Sequence, residues 1–304
     1  MSVPELLTAR RVRELLDAHG LAPTKRLGQN FMVDANTVRK IVRDAGVGPG
    51  DRVVEVGPGL GSLTLALRAA GALVTAIEVD AGLVRALRDV VGEDPGVTVV
   101  HGDALRVDLG ALAPGAATAA ADDRPPRLVA NLPYNVATPV VMHALAAGAF
   151  DQVFVLVQRE VGQRWVAGVG DPLYGAVSVK IAAQAAARLV ATVARGAFRP
   201  VPNVDSATVE LRRRPVDLPV ALDELFPVVE AGFAQRRKRL RNALAGPGRA
   251  PAAVEASLAR AGLDPGARAE ELDLAAFAAL AAALGPHDPG WTSPVIGGRR
   301  RPLA

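Results

Sequence analysis

The sequence predicts an α/β fold that consists of a doubly wound parallel sheet followed by a small domain of helices only. Between Leu21 and Arg214, short β-branched runs alternate with Ala- and Leu-rich stretches that have the length of crossover helices. After Pro215 the apolar pattern is helical throughout. The 304 residues suffice for one medium domain and one small one. The expected organisation is a helical extension over 1–20, a first domain over 21–214, a helical domain over 215–285 and a loose tail over 286–304.

Short apolar runs predict five strands in the first domain. Most of these runs are continuous rather than alternating, which is typical of strands that are covered on both faces. The predicted strands are Arg52–Val56, Leu73–Ile77, Val97–His101, Arg127–Ala130 and Gln152–Val157, and the helices between them include Leu60–Ala70 and Ala81–Val91. Two later strands, Phe198–Pro202 and Ser206–Arg212, are expected on either side of a Pro-rich turn, and the low-complexity run Pro114–Pro126 predicts an exposed loop.

Three helices are predicted after the first domain. The first runs from about Glu224 to Leu244, because its apolar residues recur at steps of three, four and seven. The second covers Ala252–Ala261. The third begins after Asp273 as N-cap and ends at Gly285.

The composition excludes several kinds of chemistry. The chain has no cysteine, so disulfides, thiolate zinc sites, iron–sulfur clusters and a Cys nucleophile are ruled out. Its four histidines lie far apart without paired metal-ligand spacing, and we expect no metal site. No apolar run approaches the roughly 18 to 20 residues that span a bilayer, and no secretory signal is visible, so a cytoplasmic protein is expected. The chemistry should come from backbone groups, carboxylates, amides and an organic cofactor.

A glycine-rich turn follows the first predicted strand. The pattern Glu55-x-Gly57-x-Gly59 leads into a helix, and such glycines let the backbone pass close to a nucleotide-like ligand that faces the helix N–H groups. A dinucleotide fingerprint requires a glycine where Ser62 stands, which disfavours an NAD-dependent oxidoreductase. The pattern instead resembles motif I of S-adenosylmethionine-dependent methyltransferases.

Acidic residues stand at the ends of the second and third strands. Glu78 lies about twenty residues beyond the glycines, where an acid accepts hydrogen bonds from ribose hydroxyls in both NAD enzymes and methyltransferases. Asp80 is expected to cap the following helix. Asp103 follows the third strand and suits an acceptor for the adenine amino group of a cofactor, although an Asp that caps a turn is the alternative.

The fourth strand ends in Asn131-Leu132-Pro133-Tyr134, which resembles the signature of enzymes that methylate an exocyclic amino nitrogen. The N6 amine of adenine is a poor nucleophile because its lone pair is delocalised into the ring. An amide oxygen from Asn131 and the carbonyl of Leu132 can each accept one N–H and draw the nitrogen towards sp3 geometry. Pro133 stiffens the turn, and Tyr134 offers a stacking surface for a base taken out of its helix.

Further motifs extend the resemblance over about Leu21 to Leu284. They are Leu27–Phe31, Gln158–Val161, Phe198–Ser206 and Phe233–Lys238. With the four motifs at strand ends, the chain resembles the ribosomal RNA adenine N6-dimethyltransferase family, and most of all its bacterial small-subunit (16S) branch.

The resemblance implies a class I (Rossmann-like) S-adenosylmethionine methyltransferase domain with a small C-terminal all-helical domain. It implies N6,N6-dimethylation of two adjacent adenosines in the 3′-terminal hairpin of 16S rRNA, within a (pre-)30S subunit. A monomer is expected, although the sequence itself does not determine the oligomeric state. The implied cofactor-binding residues are Asn30, Met32, Gly57, Glu78, Asp103 and Asn131. The implied catalytic residues are Asn131, Leu132, Pro133, Tyr134 and Phe198, the two aromatic residues bracketing the target base. Met32 stands where the family usually has Leu.

A run of five basic residues in six follows in the helical domain. These residues, Arg236, Arg237, Lys238, Arg239 and Arg241, are predicted to contact RNA phosphates, with a solvated helix face as the alternative.

Two further functions remain open at this point. A large-subunit rRNA methyltransferase that confers macrolide resistance shares the catalytic motifs, but Gln235–Leu244 and the Pro-rich loop after Phe198 favour the small-subunit branch. A non-catalytic nucleic-acid-binding protein of the same fold is disfavoured by the intact motifs Gly57–Gly61 and Asn131–Tyr134.

Overall fold

A computed structural model describes residues 5–23, 29–112, 124–246 and 249–285. Most of the predicted loop Pro114–Pro126, the predicted tail 286–304 and the start of the Leu27–Phe31 motif lie outside the described residues.

Strands and helices alternate through the first part of the chain. The described strands are β1 (Phe31–Met32), β2 (Arg52–Val56), β3 (Leu73–Glu78), β4 (Val97–His101), β5 (Arg127–Asn131), β6 (Gln152–Gln158), β7 (Ala185–Val193), β8 (Phe198–Arg199) and β9 (Ser206–Arg213). The described helices are α1 (Ala9–Ala18), α2 (Ala35–Asp44), α3 (Ser62–Ala69), α4 (Ala81–Val91), α5 (Ala137–Ala147), α6 (Arg159–Val166), α7 (Ala176–Ala182), α8 (Leu222–Ala234), α9 (Leu240–Ala243), α10 (Pro251–Arg260) and α11 (Leu274–Leu284). The five strands predicted from continuous apolar runs are therefore confirmed, whereas β1, β7, α2, α5, α6 and α7 had not been predicted individually.

Seven strands form one sheet in the order β4-β3-β2-β5-β6-β9-β7. The strands from β4 to β6 pair in parallel, and β9 pairs antiparallel with β6. The chain runs outward from β2 to β4 and then returns to the other side of β2 at β5. This reversal creates a switch point between β2 and β5, and ligands of such sheets bind outside the carboxyl ends of the strands there.

The central strands are covered on both faces, as their continuous apolar runs predicted. Residues 128–130 of β5 and 153–157 of β6 are at most 1% exposed. A smaller antiparallel pair joins β1 to β8, with Met32 opposite Phe198.

The predicted helix Glu224–Leu244 is wrong, because the structure breaks it into α8 and α9. Arg239 adopts an extended conformation (φ −65°, ψ 146°) and bridges to Arg268, while the backbone N–H of Leu240 donates to the carbonyl of Ala267 at 2.9 Å. The apolar spacing misled the prediction because Leu240 and Leu244, beyond the break, are buried in the same core as α8. The other two predicted helices correspond to α10 and α11, and the Asp273 carboxylate caps α11 by accepting from the N–H of Ala276.

The chain divides into two compact units, residues 1–162 with 186–213 and residues 163–185 with 214–304. Gln163–Ala185 was expected in the first domain, but this segment packs with the C-terminal helices. Its Tyr174 hydroxyl donates to the carbonyl of Leu272 at 2.8 Å, and the Tyr174 ring meets Phe233 edge-on with 5.7 Å between centroids. The alternation of predicted strands and helices continues through this stretch, so it gave no indication that the chain enters the second unit at Gln163 and re-enters the first unit after Ala185.

None of the helices in the described part of the chain is both long and apolar enough to cross a membrane.

Candidate active site

A cleft opens at the carboxyl ends of β2, β3 and β5, where the sheet topology places its switch point. Its walls come from four segments of the first unit, together with Glu55 and Leu83: Gln29–Met32, Gly57–Leu63, Glu78–Val79 and Asn131–Val136. Three of the predicted strand-end motifs therefore meet in one place, and the segment before α2 joins them.

The glycine turn and the Asn-Leu-Pro-Tyr turn touch each other. Gly57 has φ +69°, and a Cβ atom at this position would lie 3.2 Å from Cδ of Pro133. Gly59 has φ +59°, and its Cβ would lie 3.1 Å from the Phe31 ring. Both positions require glycine for their conformation and for the close approach of a neighbour.

Glu78 ties the end of β3 to the glycine turn. Its carboxylate is 6% exposed and accepts from the backbone N–H groups of Gly59 (3.2 Å), Val79 (2.9 Å) and Asp80 (3.0 Å). Burial raises the pKa of Glu78, while these three N–H donors act in the opposite direction. Asp80 caps α4 as predicted, because its carboxylate accepts from the N–H groups of Gly82 and Leu83.

The side-chain amide of Asn131 is oriented by the N-terminal segment. Its Nδ2 donates to the carbonyl of Asn30 at 3.3 Å, so Oδ1 is the end of the amide that can accept an N–H from an incoming amine. The same segment is held down by Ser62, whose buried hydroxyl donates to the carbonyl of Met32 at 2.6 Å. The predicted residues Asn30, Met32 and Asn131 are thus brought together.

Tyr134 lines the cleft, and its hydroxyl lies 2.8 Å from Oγ of Ser206 at the start of β9. Ser206 is fully buried and Tyr134 is half-buried. Burial raises the pKa of Tyr134, with Ser206 opposing this and Asp205 adding to it. Sequence reasoning assigned no role to Ser206, although it closes the quoted motif Phe198–Ser206.

Two predicted site residues do not line the cleft. Phe198 is 1% exposed in the hydrophobic core of the first unit, and stacking on a base requires its ring to become exposed. Asp103 accepts from the N–H of Leu105 at 2.9 Å and lies 3.5 Å from Nε of Arg106, which are the contacts of the turn-capping alternative.

Two further lining residues, Val79 and Glu55, had been given no role from the sequence. Val79 is 54% exposed, which is unusual for a large apolar side chain and provides a hydrophobic surface beside Glu78. Glu55 is 1% exposed and accepts from the hydroxyl of Thr64 at 2.6 Å. Burial raises the pKa of Glu55 to about 8, with repulsion from Glu78 adding to the effect, so this carboxyl carries a proton at neutral pH.

The basic segment of the second unit does not form one helix face. Arg236 lies 2.7 Å from Glu270 and also donates to the carbonyl of Pro172, and Arg241 lies 3.4 Å from Glu255. The remaining three, Arg237, Lys238 and Arg239, are exposed in the turn between α8 and α9 and form no ion pair within the described residues. Across the described ranges, no cluster of three or more His, Cys, Asp or Glu side chains is arranged to hold a metal ion.

A glycine turn, an acidic strand end and an oriented amide around a switch-point cleft are the arrangement of a class I S-adenosylmethionine-dependent methyltransferase. The family model described as ribosomal RNA adenine dimethylase matches residues 22–284, and the chain belongs to this family. The family, the fold class, the enzyme class and the cofactor expected from the sequence are thereby confirmed.

Relatives and solved structures agree with this assignment. Ribosomal RNA small subunit methyltransferase A of Leifsonia xyli subsp. xyli is 49% identical over 292 residues, which is 93% of this chain and 100% of that protein. The protein of the same name from Thermobifida fusca is 48% identical over 283 residues, 91% of this chain and 95% of that protein. The crystal structure of 23S rRNA methyltransferase ErmE has 28% identity and a TM-score of 0.59, covering 84% of this chain and 99% of that chain. A dimethyladenosine transferase from Plasmodium falciparum shares the fold at 20% identity and a TM-score of 0.67, covering 82% of this chain and 95% of that chain.

The protonated carboxyl of Glu55 leads to a prediction about stability and pH. Because the pKa of Glu55 is about 8 in the folded chain against an ordinary value of 4.5, unfolding releases a proton between these pH values. The free energy of unfolding should therefore fall across this window by up to about 1.4 kcal/mol per pH unit. Glu55→Gln keeps the shape but has no proton to release, so its stability relative to the wild type should rise between pH 4.5 and about 8. Urea unfolding of both proteins over this range measures the difference, and a pH-independent difference would contradict the protonated state.

Proposed function

We propose that this enzyme methylates N6 of two adjacent adenosines in the hairpin near the 3′ end of 16S rRNA, twice per base. We propose further that it acts as a monomer on an assembling 30S subunit. The observation that carries the proposal is the Asn131 amide, whose Nδ2 is engaged by Asn30 so that Oδ1 can accept at the reacting centre. Relatives named small subunit methyltransferase A, 47–49% identical to this chain, support the small subunit over the large one.

The residues of the cleft fit S-adenosylmethionine, which supplies a methyl group carried on a sulfonium when it is bound. Gly57 and Gly59 let the turn after β2 pack closely against Pro133 and Phe31, which leaves its backbone at the wall of the cleft. Glu78 stands beside the exposed Val79, and this pair suits the ribose hydroxyls and an adenine face. Asn30 and Met32 close the site from the N-terminal side, and Asp103 is proposed for the adenine amino group after a change in its turn-capping contacts.

Catalysis rests on how this chain holds the amine of the target. The Oδ1 atom of Asn131 and the carbonyl of Leu132 each accept one N–H of the amine. These two bonds draw the nitrogen towards sp3 geometry, so that its lone pair is no longer delocalised into the ring and points in a single direction. No general base is required beforehand, since the amine becomes acidic only once it is alkylated and can then lose its proton to water. The acceleration therefore comes from positioning and from preorganised acceptors.

Aromatic residues are proposed to hold the target base outside its helix. Tyr134 lines the cleft two residues beyond Leu132 and offers a ring face for stacking. Phe198 is proposed to bracket the base from the other side, which requires its buried ring to turn out of the core.

The decisive test uses the full-length protein, undermethylated 30S particles and labelled S-adenosylmethionine, followed by mapping of the modified nucleotides. We expect dimethylated adenine at two neighbouring positions of the 3′-terminal hairpin. Undermethylated 50S particles serve as the parallel substrate, because methylation there instead would favour a large-subunit function. Absence of methylation in both would remove the proposal.

The role of Asn131 is tested by Asn131→Ala. One preorganised acceptor at the reacting centre is worth about 3 kcal/mol, so methyl transfer should fall by roughly 100-fold or more. Cofactor affinity, measured by calorimetry with S-adenosylhomocysteine, should change by no more than a few-fold. Asn36→Ala, at an exposed asparagine of α2 with no assigned role, is the control and should behave as the wild type. Near-normal turnover of Asn131→Ala would disprove the assigned role.

The basic segment is proposed to contact rRNA phosphates through Arg237, Lys238 and Arg239, the members without an acidic partner in the described structure. Reversing these three charges to Glu should weaken 30S binding and lower the slope of log affinity against log salt by about 2 to 3, since each phosphate contact contributes about 0.9. Cofactor affinity should not change.

The control carries the same change in net charge on the first unit. Arg39, Arg43 and Arg85 are exposed residues of α2 and α4, and their reversal to Glu tests for an effect of total charge. Equal losses in the two triple variants would indicate a general effect of charge rather than a contact surface.

A further inference from the structure

The hydroxyl of Tyr134 has a partner that the proposed chemistry does not use. It lies 2.8 Å from Oγ of Ser206, and either atom can donate. Tyr134 follows β5, whereas Ser206 is the first residue of β9, and β6 lies between these strands in the sheet. The hydrogen bond therefore ties the catalytic turn to a strand two positions away.

Ser206 is a rigid anchor. It is 0% exposed and stands in register with Gln158 on β6. The preceding residue, Asp205, accepts from the N–H of Arg159 through its carbonyl (3.0 Å) and from the N–H of Arg195 through its side chain (3.2 Å). The backbone at Ser206 is thus fixed by pairing with β6 and by the two contacts of the preceding residue, Asp205.

Tyr134 itself lies in a turn and is only half-buried, so packing restrains its ring less than it would in the core. A phenylalanine would provide the same ring face for stacking, which means that stacking alone does not account for the hydroxyl. A tether at the hydroxyl removes rotation about the side-chain bonds before a base arrives. Preorganisation of this kind lowers the entropic cost of reaching the reactive geometry.

We infer that Ser206 is a positioning residue, which fixes the ring of Tyr134 in the orientation that receives the target adenine. This inference rests on the proposed function, because it assumes that Tyr134 stacks against the base. Ser206 is not among the residues that line the cleft, and its proposed role is exerted through the tyrosine.

The first experiment reads the tether without using activity. The chain contains two tyrosines, Tyr134 and Tyr174, so labelling with 3-fluorotyrosine gives two resonances, which Tyr134→Phe assigns. Ser206→Ala should shift or broaden the Tyr134 resonance and leave that of Tyr174 in place. The matched control is Thr208→Val, which removes another buried hydroxyl two residues along β9, where it donates to the carbonyl of Ala191. This control should leave both resonances unchanged.

The second experiment measures methyl transfer to undermethylated 30S particles. Misplacement of a reacting group by about 1 Å can cost about 100-fold, and we expect Ser206→Ala and Tyr134→Phe each to lower kcat by about tenfold or more. The KM for S-adenosylmethionine and the Kd for S-adenosylhomocysteine should stay as in the wild type. The double variant should be no slower than either single variant, because both remove the same hydrogen bond. Thr208→Val should turn over normally.

The outcomes separate this inference from the function it rests on. Normal kcat in Ser206→Ala, losses that multiply in the double variant, or an unchanged Tyr134 resonance each overturn the positioning role. If the wild type methylates no adenine in 30S particles, the proposed function fails, while the resonance experiment still reports whether Ser206 holds the ring. Equal losses in Thr208→Val would mean that β9 tolerates no hydroxyl removal and would also overturn the specific role of Ser206.

Discussion

The contact between two turns at the switch point is the constraint on which the site depends. Because β2 and β5 are neighbours in the sheet, their carboxyl ends emerge side by side and the turns that follow them compete for the same space. A Cβ at Gly57 would lie 3.2 Å from the Pro133 ring and 4.0 Å from the carbonyl of Asn131. Glycine at this position therefore allows the amide of Asn131 to approach the glycine turn, where the cofactor of this family is expected to lie.

The other contacts of the cleft extend this arrangement. Glu78 accepts from the N–H of Gly59, Ser62 holds the carbonyl of Met32, and Asn131 reaches the carbonyl of Asn30. Each bond joins a residue after one strand to a segment that is distant in sequence. The same packing buries Glu55 beside Glu78. Burial in this water-poor region disfavours the charged form of Glu55 and raises its pKa, and repulsion from Glu78 adds to the effect. Acidic side chains are usually exposed, and exceptions such as these two buried carboxyls are expected at functional sites.

In the second unit, the structure divides the five basic residues into two that pair with acids and three that are exposed. Five basic residues in six suggested one cationic helix face, but the break after α8 and the acids Glu270 and Glu255 divide them. Arg236 and Arg241 are paired with acids of their own unit, and the residues in the turn between α8 and α9 remain exposed. Apolar periodicity could not reveal the break, because Leu240 would be buried in one continuous helix and is also buried in the broken structure. The contacts that define the break come from Ala267 and Arg268, which are distant in sequence.

Local sequence determined the five central strands β2 to β6, the glycine turn, the helix caps Asp80 and Asp273 and the chemistry of the Asn131–Tyr134 turn. It could do so because each of these features depends on neighbouring residues. Strands follow from continuous apolar runs, the turn follows from the positive φ values that glycine allows, and each cap is a side chain that accepts a hydrogen bond from an N–H two or three residues further on. Tertiary structure alone decided that Asn30 orients Asn131, that Ser206 holds Tyr134, that Phe198 is buried and that Gln163–Ala185 packs with the C-terminal helices. All four features depend on contacts between residues that are distant in sequence. The residues joined by the Asn131–Asn30 and Tyr134–Ser206 hydrogen bonds, for example, lie 101 and 72 positions apart, and no local pattern specifies which distant groups will meet.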